Sequence, residues 1–251
     1  MERSEYDILR DQQTTHWWFV GKKDIVLDFA EHHGGFHKCS DMTVLDVGCG
    51  MGLMLQALSE YGHAFGMDMS PYAVEYCKQQ SDVYHFDADV RCGRLPDEIP
   101  FDTCFFDYIF ALDVIEHVED DETALRTLCS MLKPGGKLMM TVPALMSLWS
   151  YHDVVNHHFR RYSKHELLQK LEAAGFVVDR WSFYNSYLVG VIWLVRKLKT
   201  ALRFNMSDVN MNHAGRLNDL LTKIFVSEKY WLRHHRFMFG ASLIALCEKR
   251  V

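Results

Sequence analysis

The residues with the clearest chemical potential are three glycines at alternate positions, in the run Asp46-Val47-Gly48-Cys49-Gly50-Met51-Gly52, and an acid twenty positions past the first of them, Asp68. A dinucleotide turn spaces its glycines Gly-x-Gly-x-x-Gly, because the pyrophosphate needs the third one for close helix packing. Position 53 is Leu. Alternate glycines instead offer bare backbone on which a nucleoside sugar and a short attached chain can lie. A carboxylate at the end of the next strand can accept from both ribose hydroxyls, which would otherwise be buried unpaired at a cost of about 1–3 kcal/mol each. Asp87 and Asp89, in Phe86-Asp87-Ala88-Asp89, compete as acceptors for an adenine amino group. The alternative for the glycines alone is a tight structural turn.

A second chemical cluster is Trp149-Ser150-Tyr151-His152-Asp153-Val154-Val155-Asn156-His157-His158-Phe159-Arg160-Arg161-Tyr162, which packs three His, one Asp and two Arg among aromatics. His158 is the expected general base and Asp153 or His152 its assistant, while Arg160, Arg161 and Tyr162 are expected to orient an oxygen-rich or anionic substrate. The competing reading is a loop whose hydrogen bonds merely fix its own shape. His117 reads as a sheet-end histidine bonded to backbone. The pairs His32-His33, His157-His158 and His234-His235 have side chains that diverge in regular structure, so no metal site is expected.

Positioning these groups requires strands that end where the motifs begin. The runs at 43–47, 64–68, 83–86, 108–112 and 137–142 read as strands one to five, alternating with helices at 53–61, 70–80 and 121–132, and Ser70-Pro71 supplies a cap and a first-turn proline. Strands alternating with helices give a parallel doubly wound sheet whose ligands bind at the strands' carboxyl ends. After Ser163 comes a helix, then a sixth strand at 176–184 and a seventh at 237–249. Residues 1–40 read as a helical lid in which Trp17-Trp18-Phe19 dock on the sheet or stack over a ligand, with Lys22 or Lys23 near its carboxylate. Residues 41–184 are the cofactor-binding core, 185–236 a helical insertion, and 237–251 the last strand, together one domain over 1–251. In the insertion Val191, Leu194, Val195, Leu198 and Leu202 interleave with Arg196, Lys197, Lys199 and Arg203 as a basic amphipathic helix, whose apolar stretch at 187–195 is too short to span a bilayer. It is expected to roof a pocket, form a dimer face, or touch a membrane peripherally through 185–204.

The composition of this 251-residue chain, 49% hydrophobic and 24% charged with 5 Pro and 15 Gly, excludes collagen, disorder and low-complexity scaffolds. Seven cysteines without a Cys-x-x-Cys pair suggest neither a disulfide framework nor a zinc ribbon, and a charged opening Met1-Glu2-Arg3 lacks a signal peptide's apolar core, so a reducing cytoplasmic location is expected. Residues 1–195 carry a net charge of −13 and 196–251 carry +7. An acidic body argues against nucleic-acid binding.

Four segments in order resemble the class I S-adenosylmethionine-dependent methyltransferases. They are 44–52 with its glycines, Gly66-Met67-Asp68-Met69-Ser70, 106–118 with Ala111-Leu112-Asp113, and Leu132-Lys133-Pro134-Gly135-Gly136. The resemblance covers about residues 40–182. It implies a Rossmann-like, seven-stranded, mostly parallel α/β sheet with an antiparallel last strand and helices on both faces. S-Adenosyl-L-methionine is the implied cofactor, and S-adenosyl-L-homocysteine its product. By the same resemblance Asp46, Gly48, Cys49, Gly50 and Gly52 would line the methionine and ribose, Asp68 with Met69 the ribose, Asp87 or Asp89 the adenine, and Ala111, Leu112 and Asp113 the sulfonium. His16-Trp17-Trp18-Phe19 and the His158-x-Arg160-Arg161-Tyr162 loop resemble a bacterial branch linked to glycan, lipid and small-metabolite tailoring, although Asn156-His157 departs from its spacing. The implied reaction is methylation, at oxygen, of a small-molecule, glycan or lipid-linked acceptor. The alternatives are an NAD-type oxidoreductase, which Leu53 disfavours, and a non-catalytic cofactor-binding relative.

Overall fold

The computed structural model describes residues 3–201 and 215–250. The elements run α1 (Arg3–Gln12), α2 (Trp17–Gly34), β1 (Thr43–Val47), α3 (Leu53–Leu58), β2 (His63–Asp68), α4 (Pro71–Tyr84), β3 (Ala88–Cys92) and β4 (Phe106–Leu112). They continue with α5 (Asp121–Met131), β5 (Leu132–Pro143), α6 (Tyr151–Val155), α7 (Lys164–Ala173), β6 (Phe176–Tyr184), α8 (Val189–Ala201), α9 (Arg216–Leu232) and β7 (Ser242–Lys249). The strands form one seven-stranded sheet in the order β3-β2-β1-β4-β5-β7-β6. The first five are parallel, and β7 runs against both neighbours, β5 and β6. The chain turns outward from β1 in both directions, so the switch point lies at the carboxyl ends of β1 and β4.

Both faces of the sheet are covered because alternate side chains of a buried strand point to opposite sides. On β4, Ile109 packs with Leu125, Leu128 and Leu171 of α5 and α7. Its neighbour Phe110 packs with Ile25, Phe29 and Phe225 of α2 and α9. Burying each such side chain stabilises the fold by about 1.5–3 kcal/mol. Ser70 caps α4 through its hydroxyl, with Pro71 at the first position, as the sequence predicts.

The third strand is not at 83–86. There α4 continues to Tyr84 and stops at a left-handed His85, and the strand follows at Ala88–Cys92. The last strand begins at Ser242 rather than at 237. Among the described residues the insertion contributes two helices, α8 and α9, and α9 is fastened to α2. The Trp18 ring stacks on Phe225 at 5.3 Å, Asn218 Oδ1 accepts from the Trp17 N–H at 2.9 Å, and Asn218 Nδ2 donates to the Thr15 carbonyl. Leu202 and Arg203, the far end of the expected amphipathic stripe, lie outside the described residues. Among the described residues no helix is long and apolar enough to cross a membrane.

Candidate active site

A cleft of about 930 Å³ opens at the switch point. Its floor is the turn after β1, where Gly48 and Gly50 take left-handed φ values of 70° and 52°. A Cβ on Gly48 would stand 2.7 Å from Val114 Cγ2, so a side chain there would be both strained and obstructed. Asp68, buried at the end of β2, ties this turn to the next strand. Its Oδ2 accepts from the Gly50 N–H at 2.9 Å, and its Oδ1 accepts from the Ser70 N–H and the Tyr6 hydroxyl, each at 2.9 Å. Burial and the neighbouring Asp68 charge push the Tyr6 phenol far above its ordinary value, so it remains a donor. Gln13 clamps the same turn, donating to the Met51 carbonyl and accepting from the Leu53 N–H. Helix α1 therefore lies directly over the glycines.

Asp46 and Asp113 also line the cleft. Asp46 is buried and its Oδ2 has no hydrogen-bond partner. Burial pushes its carboxyl up to about 7, against the pull of the Lys22 charge and with a further push from Asp68. Asp113 sits past β4 with a left-handed φ of 58°. Its Oδ2 accepts from Lys22 Nζ at 2.9 Å and its Oδ1 from the Thr141 hydroxyl at 2.8 Å. Burial opposes ionisation there, but Lys22 and Thr141 outweigh it and hold the carboxyl below its usual range.

The opposite wall joins the short 3-10 turn Ile115–His117 to the segment beyond β5. His158 Nδ1 lies 3.0 Å from Asp153 Oδ1, which also accepts from Arg161 Nε at 2.7 Å, while Asp153 Oδ2 accepts from the Ser150 N–H at 2.8 Å. Burial raises the Asp153 carboxyl, yet the His158 bond and the Arg161 charge win and keep it ionised far below the ordinary range. An ionised acceptor at Nδ1 fixes the His158 tautomer and leaves Nε2 for other partners. The His117 ring packs edge-on against His158 at 4.7 Å between centroids. Burial, then the nearby His158, lowers His117 to about 4, so it is neutral at physiological pH. Glu116 is fully buried; burial and then Asp113 push its carboxyl well above the usual value.

Of the residues singled out from the sequence, Asp46, Gly48, Cys49, Gly50, Asp68, Met69, Leu112, Asp113, His152, His158 and Arg161 line this one cleft. Asp153 stands directly behind His158. Gly52 serves as the left-handed start of α3, and Ala111 lies in the core. Asp87 and Asp89 are not brought to the cleft. Asp89 is on β3, ion-paired with Arg91 at 2.6 Å, and the residues past that strand's carboxyl end that do reach the cleft are Gly93, Arg94 and Leu95. Arg160 and Tyr162 point elsewhere as well. Both bind Asp121, at the start of α5, at 2.8 Å, and Tyr162 is buried in the core. Sequence reasoning missed Tyr6 and Gln13 and passed over Glu116; the turn around Ile115-Glu116-His117 was the one signal available.

These residues fit an adenosyl amino acid. The Asp68 carboxylate has about four lone-pair sites, of which three are used, and the partnerless, buried Asp46 oxygen can answer a cationic amino group. A doubly wound sheet with a glycine turn and a strand-end acid at its switch point defines a nucleoside-binding α/β enzyme. The Methyltransferase domain family matches residues 22–180, more than half of the sequence, and the chain belongs to that family. S-Adenosyl-L-methionine is the cofactor that goes with this membership, and the oxidoreductase alternative gives way to it. The chain is 36% identical over 109 residues to a ubiquinone biosynthesis O-methyltransferase of Bradyrhizobium diazoefficiens, covering 43% of this chain and 42% of that protein. It is 29% identical over 120 residues to one of Coxiella burnetii, covering 47% and 46%. The chain thus spans a little under half the length of these curated relatives. Among solved structures it resembles the [4+2]-cyclase SpnF (TM-score 0.61, 20% identity, 91% of this chain and 81% of that one). It also resembles a SAM dependent methyltransferase of Aquifex aeolicus (TM-score 0.55, 22% identity, 73% and 93%). These two likenesses establish the fold alone.

Proposed function

We propose that this protein transfers a methyl group from S-adenosyl-L-methionine to a hydroxyl oxygen of a small, largely apolar or lipid-linked acceptor. The observation that carries the reading is the His158–Asp153 pair, held at 3.0 Å on the wall of the same cleft whose floor is the glycine turn and Asp68. The bound cofactor supplies an electrophilic methyl on a sulfonium. The chain's own residues do the rest: Asp68 and the turn fix the adenosyl end, and Asp113, pinned by Lys22 and Thr141, shapes the cleft between the two halves. The acceptor hydroxyl meets His158 Nε2, which takes its proton, while the ionised Asp153 holds the ring and stabilises the imidazolium. Arg161 keeps Asp153 ionised and is a positioning residue.

The relatives named ubiquinone biosynthesis O-methyltransferase support an oxygen acceptor. An apolar acceptor is supported by Leu188, Val191 and Ile192 of the α8 region and Leu221 of α9, which roof the cleft. Trp193, Leu194 and Leu198 on α8 are exposed next to that roof, which supports a peripheral membrane contact that brings a lipid-linked acceptor to its mouth. Sedimentation with anionic vesicles at low salt tests this contact: no co-sedimentation removes it.

The chemistry is tested with Asp153→Asn, assayed by transfer of an isotopically labelled methyl to catechol-type and polyprenylated phenols. The turnover number should fall about 10²–10⁴-fold, with S-adenosylhomocysteine affinity unchanged within threefold. Turnover close to wild type in a folded variant rejects the assignment.

A further inference from the structure

We propose that Glu116, His117 and His158 form a site for one divalent first-row transition ion, of the class of Zn²⁺ or Mn²⁺, on the wall of the cleft. The sequence offers adjacent histidine pairs whose side chains diverge, and a metal is not expected from them. The fold instead gathers ligands from two segments, the 3-10 turn after β4 and the stretch beyond α6. One ligand atom from each of the three side chains lies within 4.8 Å of the others. Ligands about 2.1 Å from a shared ion stand about 3.4 Å apart around a tetrahedral ion and about 3.0 Å apart when adjacent around an octahedral one, so contractions of at most about 1.4–1.8 Å close the set.

An independent observation points to a ligand here. Glu116 is 0% exposed and neither of its carboxylate oxygens has a hydrogen-bond partner. Its acidic neighbour Asp113 is already answered by Lys22 and Thr141, and the Arg161 guanidinium is spent on Asp153 and the Ala144 carbonyl. A buried carboxylate left this bare is retained at a cost, and a cation removes that cost. His158 is already arranged as a ligand. Asp153 engages His158 at Nδ1, which leaves that ring's Nε2 for an ion. Metal-bound histidines characteristically have such outer partners. Two imidazoles and one carboxylate suit Zn²⁺, Mn²⁺, Fe²⁺ or Co²⁺ better than the all-oxygen preference of Mg²⁺ or Ca²⁺. All three residues line the cleft.

The site's role rests on the oxygen-acceptor reading. In the ion-free protein His158 Nε2 is the base proposed above; with the ion present the same nitrogen is a ligand, and the ion takes over the base's part. The acceptor oxygen binds the ion, its hydroxyl becomes more acidic, and the proton passes to water in the cleft. The O–CH₃ bond then forms as the S–CH₃ bond breaks, and the electron pair stays on sulfur.

The test is a titration of chelator-treated protein with Co²⁺, without acceptor, followed by visible d–d absorption and repeated with Mn²⁺ by calorimetry. One ion per chain is expected, with affinity lowered at least tenfold in Glu116→Gln and in His117→Ala, and S-adenosylhomocysteine affinity within threefold of wild type in both. No saturable binding to wild type, or equal binding by the two variants, overturns the site. Methyl transfer that continues undiminished in chelator overturns its catalytic role and leaves His158 as the base. One bound Co²⁺ with no transfer to any hydroxyl acceptor supports the site and overturns the acceptor reading instead.

Discussion

The Tyr6 hydroxyl donates to Asp68 Oδ1 at 2.9 Å, joining the first described helix to the strand-end acid across 62 positions. One acceptor site stays open, on Oδ2, so a second ribose hydroxyl would have to take the Oδ1 site that Tyr6 fills. Tyr6 therefore both fastens α1 over the cleft and competes for the cofactor's acceptor.

Removing that hydroxyl should separate the two roles. Tyr6→Phe is expected to lose about 1 kcal/mol of stability with the bond. It should also bind S-adenosylhomocysteine a few-fold more tightly, because a site on Asp68 is freed. Calorimetry and thermal unfolding of the variant check both effects. Weaker binding would show that the phenol assists the cofactor.

Asp46 should make cofactor affinity depend on pH. With its carboxyl at about 7, it is mostly protonated at pH 6 and mostly ionised at pH 8. The cofactor brings a positive ammonium and a positive sulfonium, so binding favours the ionised form and releases a proton below neutrality. Affinity for S-adenosylmethionine should rise roughly 3–10-fold from pH 6 to pH 8. Asp46→Asn should flatten that rise. A flat wild-type profile, or a slope that survives in Asp46→Asn, removes Asp46 from the site.

Glu228 bears on stability rather than binding. Fully buried in α9, it accepts from the Ser186 and Tyr187 N–H groups with Oε1, while Oε2 has no partner. Burial pushes its carboxyl from the ordinary 4.5 up to about 7, against the pull of these donors. The folded chain therefore holds this proton more tightly than the unfolded chain, and stability is lost as pH climbs from about 4.5 through 7. Glu228→Gln keeps the acceptor oxygen and carries no charge. It should match wild type near pH 4.5 and exceed it by roughly 1–3 kcal/mol at pH 8, measured as the difference in urea unfolding free energy. A constant offset between the two proteins across that range contradicts the argument.

What could be read in the sequence was whatever is local. The Ser70-Pro71 cap, the 176–184 strand and the glycine turn with Asp68 depend on contiguous residues and strand ends, and they stand where the sequence predicts. The third strand escaped because Ala88–Cys92 is an edge strand with only Val90 buried, too polar to carry a strand period, while Val83 and Tyr84 are apolar yet exposed on α4. The density of charge at 158–162 misled in part. Arg160 and Tyr162 serve Asp121, while His158, Phe159 and Arg161 reach the cleft. Residue type alone does not separate a charge that binds a ligand from one that pins a helix. The meeting of Glu116 and His117 with His158 needs the register of β4 beside β5, which no local pattern displays.

The most direct test is calorimetric titration of S-adenosylhomocysteine into wild type and Asp68→Ala, with circular dichroism confirming that the variant is folded. The account predicts one site in wild type and an affinity at least tenfold lower in the variant, since each ribose hydroxyl left unpaired costs about 1–3 kcal/mol. No binding to wild type, or equal affinity in Asp68→Ala, would contradict it.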